Sequence, residues 1–129
     1  MERVIKFRGA FVYKNNDGTF SWICGDLRPK YIENKSIIYN HGVGFEVLSG
    51  TVGQFTGLYD KNGTEIYEDD IVHLDSWSPE YMKIAFIEGA FCLADKDGNF
   101  LGDIHYIQHA GVNQCEVVGN IYDNPELLK

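Results

Sequence analysis

The chain has 129 residues and a formal charge of −8, from eleven lysines and arginines against nineteen aspartates and glutamates. That length hides roughly two-thirds of the extended surface on folding, enough for a core without disulfide staples, and the acidic balance has the wrong sign for a generic binder of phosphate backbones. No stretch approaches the ~20 apolar residues a membrane span requires, and the opening MERVIKFRGAF interleaves basic with apolar residues where an export signal would be continuously apolar.

From the N-terminus, the apolar alternation predicts strands over 4–11 and 20–24, joined by the turn in KNNDGTF at 14–20. The segment 25–44, GDLRPKYIENKSIIYNHGVG, changes texture through Pro29 and its closing glycines, and the reading places a junction between two subdomains near residue 48. Strands follow at 45–48, 57–59, 65–67, 71–74, 83–87, 91–95, 100–107 and 116–121. Two more turns, DKNGTEI at 60–66 and DKDGNFL at 95–101, repeat the first. Each centres on Asp-Gly or Asn-Gly, pairs that accept the positive φ of primed or bulged hairpin turns. The fold class is therefore mainly β with minor α, its short strands regularly spaced as in small barrels.

Alternation assigns core faces to Ile5 with Phe7, Val72 with Leu74, Ile84 with Phe86, Phe91 with Leu93, and Val117 with Ile121. At these periods the aromatic residues read as packing and not as a platform for bases. DNPELLK at the end offers Asn124 as N-cap and Pro125 at the first helical position, so Leu127 and Leu128 are expected to pack one terminal turn onto the barrel. Ser78 and Pro79 in DSWSPEYMK fit a similar turn or a loop.

Charge is unevenly placed. Residues 1–35 carry seven basic and four acidic groups, and residues 36–129 carry four and fifteen, which gives +3 and −11. Either the two parts neutralise each other within one molecule, or a basic part meets an acidic part of another copy.

VGQFTGLYDKNGTEIYEDDIV at 52–72 and CEVVGNIYDNPELL at 115–128, with RVIKFRG at 3–9, resemble the signature segments of the YopX family of phage and prophage proteins. The resemblance implies an SH3-like small barrel over 49–129, a smaller basic β-rich subdomain over 1–48, and a place in the bacterial cytoplasm. It implies no established reaction. The family pattern more commonly has glycine where this chain has Asp69, and a glycine position often requires positive φ, which Asp tolerates better than a branched residue.

For chemistry, the acidic group Glu65, Glu68, Asp69 and Asp70 surrounds a strand entry, where Asp70 is placed to cap backbone donors of a tight turn. The calcium-loop spacing is absent, and DKDGN at 95–99 holds only a fragment of it. His105 and His109, near Asp103, share a face but lack a third zinc ligand, and His73 is expected to point off the barrel. Cys24, Cys92 and Cys115, odd in number and widely spaced, suit free thiols in a reducing cytosol. Cys24 and Cys92 sit among apolar neighbours, and no Gly-x-Ser-x-Gly elbow or phosphate-cradling loop occurs.

No cofactor and no metal are therefore expected. The chain is expected to be a non-enzymatic binding or assembly module that presents Tyr59, Glu65, Tyr67, Glu68, Asp69 and Asp70 to another protein or to a second copy, as a homo-oligomer. Mimicry of a nucleic acid by the acidic part, and a carboxylate-dependent hydrolase, stand as alternatives. Nucleic acid is not expected as a direct ligand.

Overall fold

The computed structural model describes residues 4–29, 34–75, 77–104 and 115–129. Among them every regular element is a β-strand or a short 3₁₀ turn. The strands are β1 (Phe7–Ala10), β2 (Trp22–Pro29), β3 (Lys35–Asn40), β4 (Val43–Leu48), β5 (Gly53–Tyr59), β6 (Glu65–Tyr67), β7 (Asp70–Leu74), β8 (Tyr81–Ile87), β9 (Ala90–Ala94), β10 (Phe100–Asp103) and β11 (Cys115–Asn120). They form a six-stranded sheet, β4-β3-β2-β1-β5-β6, and a five-stranded sheet, β10-β9-β8-β7-β11. No pairing among the described residues closes either sheet into a barrel.

The three predicted hairpin turns share one construction. In each, the N–H of Gly18, Gly63 or Gly98 donates to the carbonyl three residues earlier at 3.0 Å. The loop closes through Asn15 N–H to Thr19 O, Asp60 N–H to Thr64 O, and Asp95 N–H to Asn99 O, at 2.8–3.0 Å. The glycines have φ of 81–86°, which makes these type I turns followed by a left-handed residue in a bulge, where glycine carries no steric penalty. Two further hairpins use His41-Gly42 and Glu88-Gly89, with both central residues at positive φ. The first of these joins β3 to β4, strands that fall largely within the segment read above as a texture change.

The chain divides into two compact units, Met1–Phe55 and Thr56–Lys129, and the boundary lies inside β5. In the first unit β1 pairs antiparallel with β2, β2 with β3 and β3 with β4. The outer edge of β4 does not stay bare. Phe11 bridges Val47, and Val12 N–H donates to Glu46 O at 3.4 Å, so the chain just beyond β1 covers an edge that would otherwise invite pairing with other chains. Ala10, Ile38, Val47 and Phe55 are buried here. Ile5, expected in the core with Phe7, is 55% exposed, because it precedes β1 and lies outside the paired strand.

In the second unit the core comprises Ile66, Val72, Leu74, Met82, Ile84, Leu93, Ile104 and Cys115, with Leu58, Trp77, Phe91, Leu101 and Val117 packed around them. Each fully buried aliphatic side chain contributes roughly 1.5–3 kcal/mol of transfer free energy. Val72 faces Met82, and Ile84 faces Leu93, as the alternation requires. Phe86 shares the parity of Ile84 yet is half exposed, because it sits where β8 runs past the core into its hairpin; there its ring tilts against Phe91 at 5.0 Å. A bulge between Val117 and Gly119 resets the alternation of β11, so Ile121 leaves the strand and does not continue the Val117 face. The C-terminal residues Pro125–Leu128 form a 3₁₀ turn against β8, as Leu127 and Leu128 suggested. Asn124 precedes that turn without a side-chain cap to it. Residues 78–80 are a bend and not a helix.

Candidate functional site

The acidic stretch is positioned by the β5–β6 hairpin and the turn into β7. Asp60, the first residue of that hairpin loop, is 5% exposed. Its Oδ1 accepts from the N–H groups of Asn62 and Thr64 at 2.8 and 2.9 Å, which is the local habit of Asx turns. Its Oδ2 accepts from Val117 N–H at 2.9 Å, reaching across to β11. Burial pushes its pKa up, but the N–H donors of Val117, Thr64 and Asn62 outweigh burial and hold the carboxyl below its ordinary value. Lys61 N–H donates to Cys115 O, and the Lys61 ammonium lies 3.6 Å from Glu116.

Asp70 is 1% exposed, and its Oδ2 accepts from Tyr67 N–H at 2.8 Å, the capping role its place in the sequence suggested. Asp69 has φ of 71°, the left-handed conformation expected where the family pattern favours glycine. It is held on three sides: its N–H donates to Ile84 O at 2.8 Å, its carbonyl accepts from Ile121 N–H at 3.0 Å, and its Oδ2 accepts from Tyr122 O–H at 3.0 Å. Tyr67 is 3% exposed, and its hydroxyl donates to Glu65 Oε1 at 3.1 Å.

Beyond β11 the chain folds back on itself. Asn120 Oδ1 accepts from the N–H groups of Tyr122 and Asp123, and Asn124 Oδ1 accepts from Asn120 N–H at 3.3 Å. This return explains the glycine of the second segment. A β-carbon on Gly119 would come within 2.6 Å of Asn124 Cγ and 2.9 Å of its Cβ. The two sequence segments are thus one construction, joined by β7–β11 pairing, by Asp60 on Val117 and by Asp69 on Ile121 and Tyr122.

Of the six residues proposed for contact, Tyr67 and Asp70 are buried and do not offer a surface, because the β7 entry needs the first as packing and the second as a cap. Tyr59 is 47% exposed, and Glu65, Glu68 and Asp69 are half-buried. Sequence reading missed Asp60. Its local Asx turn was legible, but a partner 57 positions away leaves no local signal.

The other chemical candidates separate. His105 and His109 lie outside the described residues. His73 packs its ring on Tyr81 at 5.1 Å, with Nδ1 3.5 Å from Asp75 and Nε2 3.7 Å from Glu80. No three His, Cys, Asp or Glu side chains among the described residues gather as a ligand set. Burial raises the thiols of Cys92 and Cys115; for Cys115 burial and the carboxylates of Asp60 and Asp70 push it up to about 12. Cys24 is half-buried and borders an open cleft of about 390 Å³ in the first unit, beside Lys6, Asp26, Tyr39 and His41. No helix of the described residues is long and apolar enough to cross a membrane.

The family model described as YopX protein matches residues 4–129. The chain belongs to the YopX family, as its two segments suggested. Among solved structures, protein EF1440 from Enterococcus faecalis is similar over 99% of this chain and 100% of its own, at 24% identity and a TM-score of 0.59, a likeness of fold. No curated protein matches the sequence.

Proposed function

We propose that this YopX protein is a non-enzymatic binding and assembly module of phage or prophage origin, acting in the bacterial cytoplasm through protein–protein contacts. One observation carries the reading. The carboxylates of the family segment are engaged by the fold itself: Asp60 and Asp70 accept from main-chain N–H groups, and Asp69 accepts from Tyr122. A carboxylate so engaged positions a strand and is poorly placed to activate water or hold a metal. Tyr59, Glu65 and Glu68 lie beside these anchors, a tyrosine with acidic neighbours on a rigid hairpin, which is the composition of a contact surface. The order β10-β9-β8-β7-β11, in which a last strand returns to pair with the first of a meander, supports an SH3-like topology for the second unit.

The test is capture of partners from host lysate by the wild-type protein and by a Glu65→Lys, Glu68→Lys variant of unchanged thermal stability. A defined protein held by the wild type and lost by the variant is the expected result. Equal capture by both, or no capture by a wild type that also stays monomeric, overturns the reading. Residues 56–129 carry fourteen acidic groups against four basic ones, and that imbalance favours a second reading, occupation of the basic cleft of a host DNA-binding protein. A captured partner that is such a protein, and that releases in moderate salt, selects mimicry over assembly.

A further inference from the structure

The first unit carries a surface of opposite character. Arg8 lies over the Trp22 ring at 4.9 Å, Lys14 over Phe20 at 4.9 Å and Arg28 over Tyr39 at 5.6 Å, while the Phe20 and Trp22 rings meet edge to face at 6.1 Å. Significant cation–aromatic pairs occur about once per 70–80 residues, so four such pairs in one unit of this size, counting Lys6 over Phe55 at 5.1 Å, are a concentration. The strand registers put Arg8, Trp22, Arg28 and Tyr39 on one face of the sheet, opposite the face of Ile38 and Val47. Asp26 interrupts this face, Lys35 is paired with Glu46 at 3.9 Å, and the Nε and Nη2 atoms of Arg8 are enclosed, so the exposed positive charge of this face rests on Lys14 and Arg28. The unit as a whole holds seven basic and five acidic residues, net +2, against −10 for residues 56–129.

Resting on the assembly reading above, we infer that this cation–aromatic face docks the acidic β5–β6 surface of a second copy of the chain, Glu65 and Glu68 with Tyr59 among its contacts. Charge complementarity names the occupant, because the same chain supplies both signs at equal concentration. Single-stranded nucleic acid fits less well. The cations already sit over the rings on which bases would stack, and every copy brings ten excess negative charges on its second unit to repel phosphate. A contact between two different faces is heterologous, so it propagates head to tail into a ring or a filament and does not stop at a two-fold dimer.

Complementation between two charge-reversed variants tests this directly. One variant carries Lys14→Glu and Arg28→Glu; the other carries Glu65→Lys and Glu68→Lys; both are checked by circular dichroism for native strand content. In light scattering at low salt the wild type is expected to form species larger than a dimer, and raising the salt from 50 to 500 mM is expected to weaken association by about tenfold or more. Each variant alone is expected to be monomeric. Their mixture is expected to associate in equal proportion, because each retains one intact face and the two reversed faces are again opposite in sign. A wild type that stays monomeric at several hundred micromolar, or a mixture that fails to associate, overturns the inference, and so does an oligothymidylate that binds the wild type and is lost with Lys14→Glu and Arg28→Glu. A monomeric wild type that still captures a different protein through Glu65 and Glu68 sinks this inference while the function proposed above stands.

Discussion

Val117 N–H donates to Asp60 Oδ2 at 2.9 Å, a bond that ties a hairpin loop to a strand 57 positions further along the chain. The receiving carboxylate carries three main-chain donors in all, so it acts as a staple between the two family segments. Replacing it by Asn leaves an amide NH₂ facing one of those donors, and Asp60→Asn is expected to lower stability by about 1–3 kcal/mol at pH 7. The pH dependence follows from the lowered pKa. The stabilisation is complete above the unfolded value near ~3.9 and is lost as pH falls through the lower folded value. Urea denaturation at pH 7 and at pH 3 checks this: the gap between wild type and Asp60→Asn is expected to shrink in acid. Asp17 and Asp95, also held low by their Thr19 and Asn99 partners, leave both proteins some acid sensitivity.

Gly119→Ala places a methyl group against Asn124 Cγ and Cβ, atoms fixed by the return of the chain. The expected loss is about 1–3 kcal/mol, the range for overpacking a filled site. Asn124→Ala removes the obstacle and loses one hydrogen bond to Asn120 N–H. The double variant is therefore expected to be more stable than the sum of the two single losses, with a coupling of roughly 0.5–2 kcal/mol in a thermal-unfolding cycle.

The two glycine types of turn explain what could be read in advance. Gly18, Gly63 and Gly98 follow Asp or Asn, a strong local signal, and all three hairpins stand where the sequence put them. His41-Gly42 makes an equally tight turn with a residue less often met there, so β3 (Lys35–Asn40) went unread although Ile38 is fully buried. Alternation placed Val72, Leu74, Ile84 and Leu93 correctly and misplaced Phe86 and Ile5, because a period of two says which way a side chain points and not where the neighbouring strand ends. The site divides the same way. Asp70 capping Tyr67 is a contact over three residues and was legible, whereas Asp60 on Val117 and Asp69 on Tyr122 depend on the return of β11.

Asp69 sits at φ 71°, where a residue with a β-carbon is strained and a β-branched one more so. Asp69→Gly relieves that strain and gives up the Tyr122 hydrogen bond, terms of about 1 kcal/mol each that nearly cancel. Asp69→Val keeps the strain, adds to it and loses the bond, so a loss of about 2 kcal/mol or more is expected. Tyr122→Phe separates the two contributions: it should cost about 1 kcal/mol in the wild type and close to nothing in Asp69→Gly.

The three cysteines differ in access, and the difference is measurable in the folded protein. Cys115 is fully buried at the start of β11, where burial and the carboxylates of Asp60 and Asp70 push its thiol up to about 12. Cys92 is 3% exposed, and burial with the nearby Asp103 raises it as well. The thiolate is the reacting species, so neither should react while the protein is folded. Cys24, half-buried at the open cleft of the first unit, is the accessible thiol of the three. A disulfide reagent at pH 8 is therefore expected to modify one thiol rapidly in the native protein and the other two only as it unfolds, and Cys24→Ser should abolish the fast phase. Denaturant should release Cys92 and Cys115 with the loss of the second unit's core, because Cys115 is part of that core. Rapid reaction of two or three thiols in the native protein would contradict the burial described for β9 and β11.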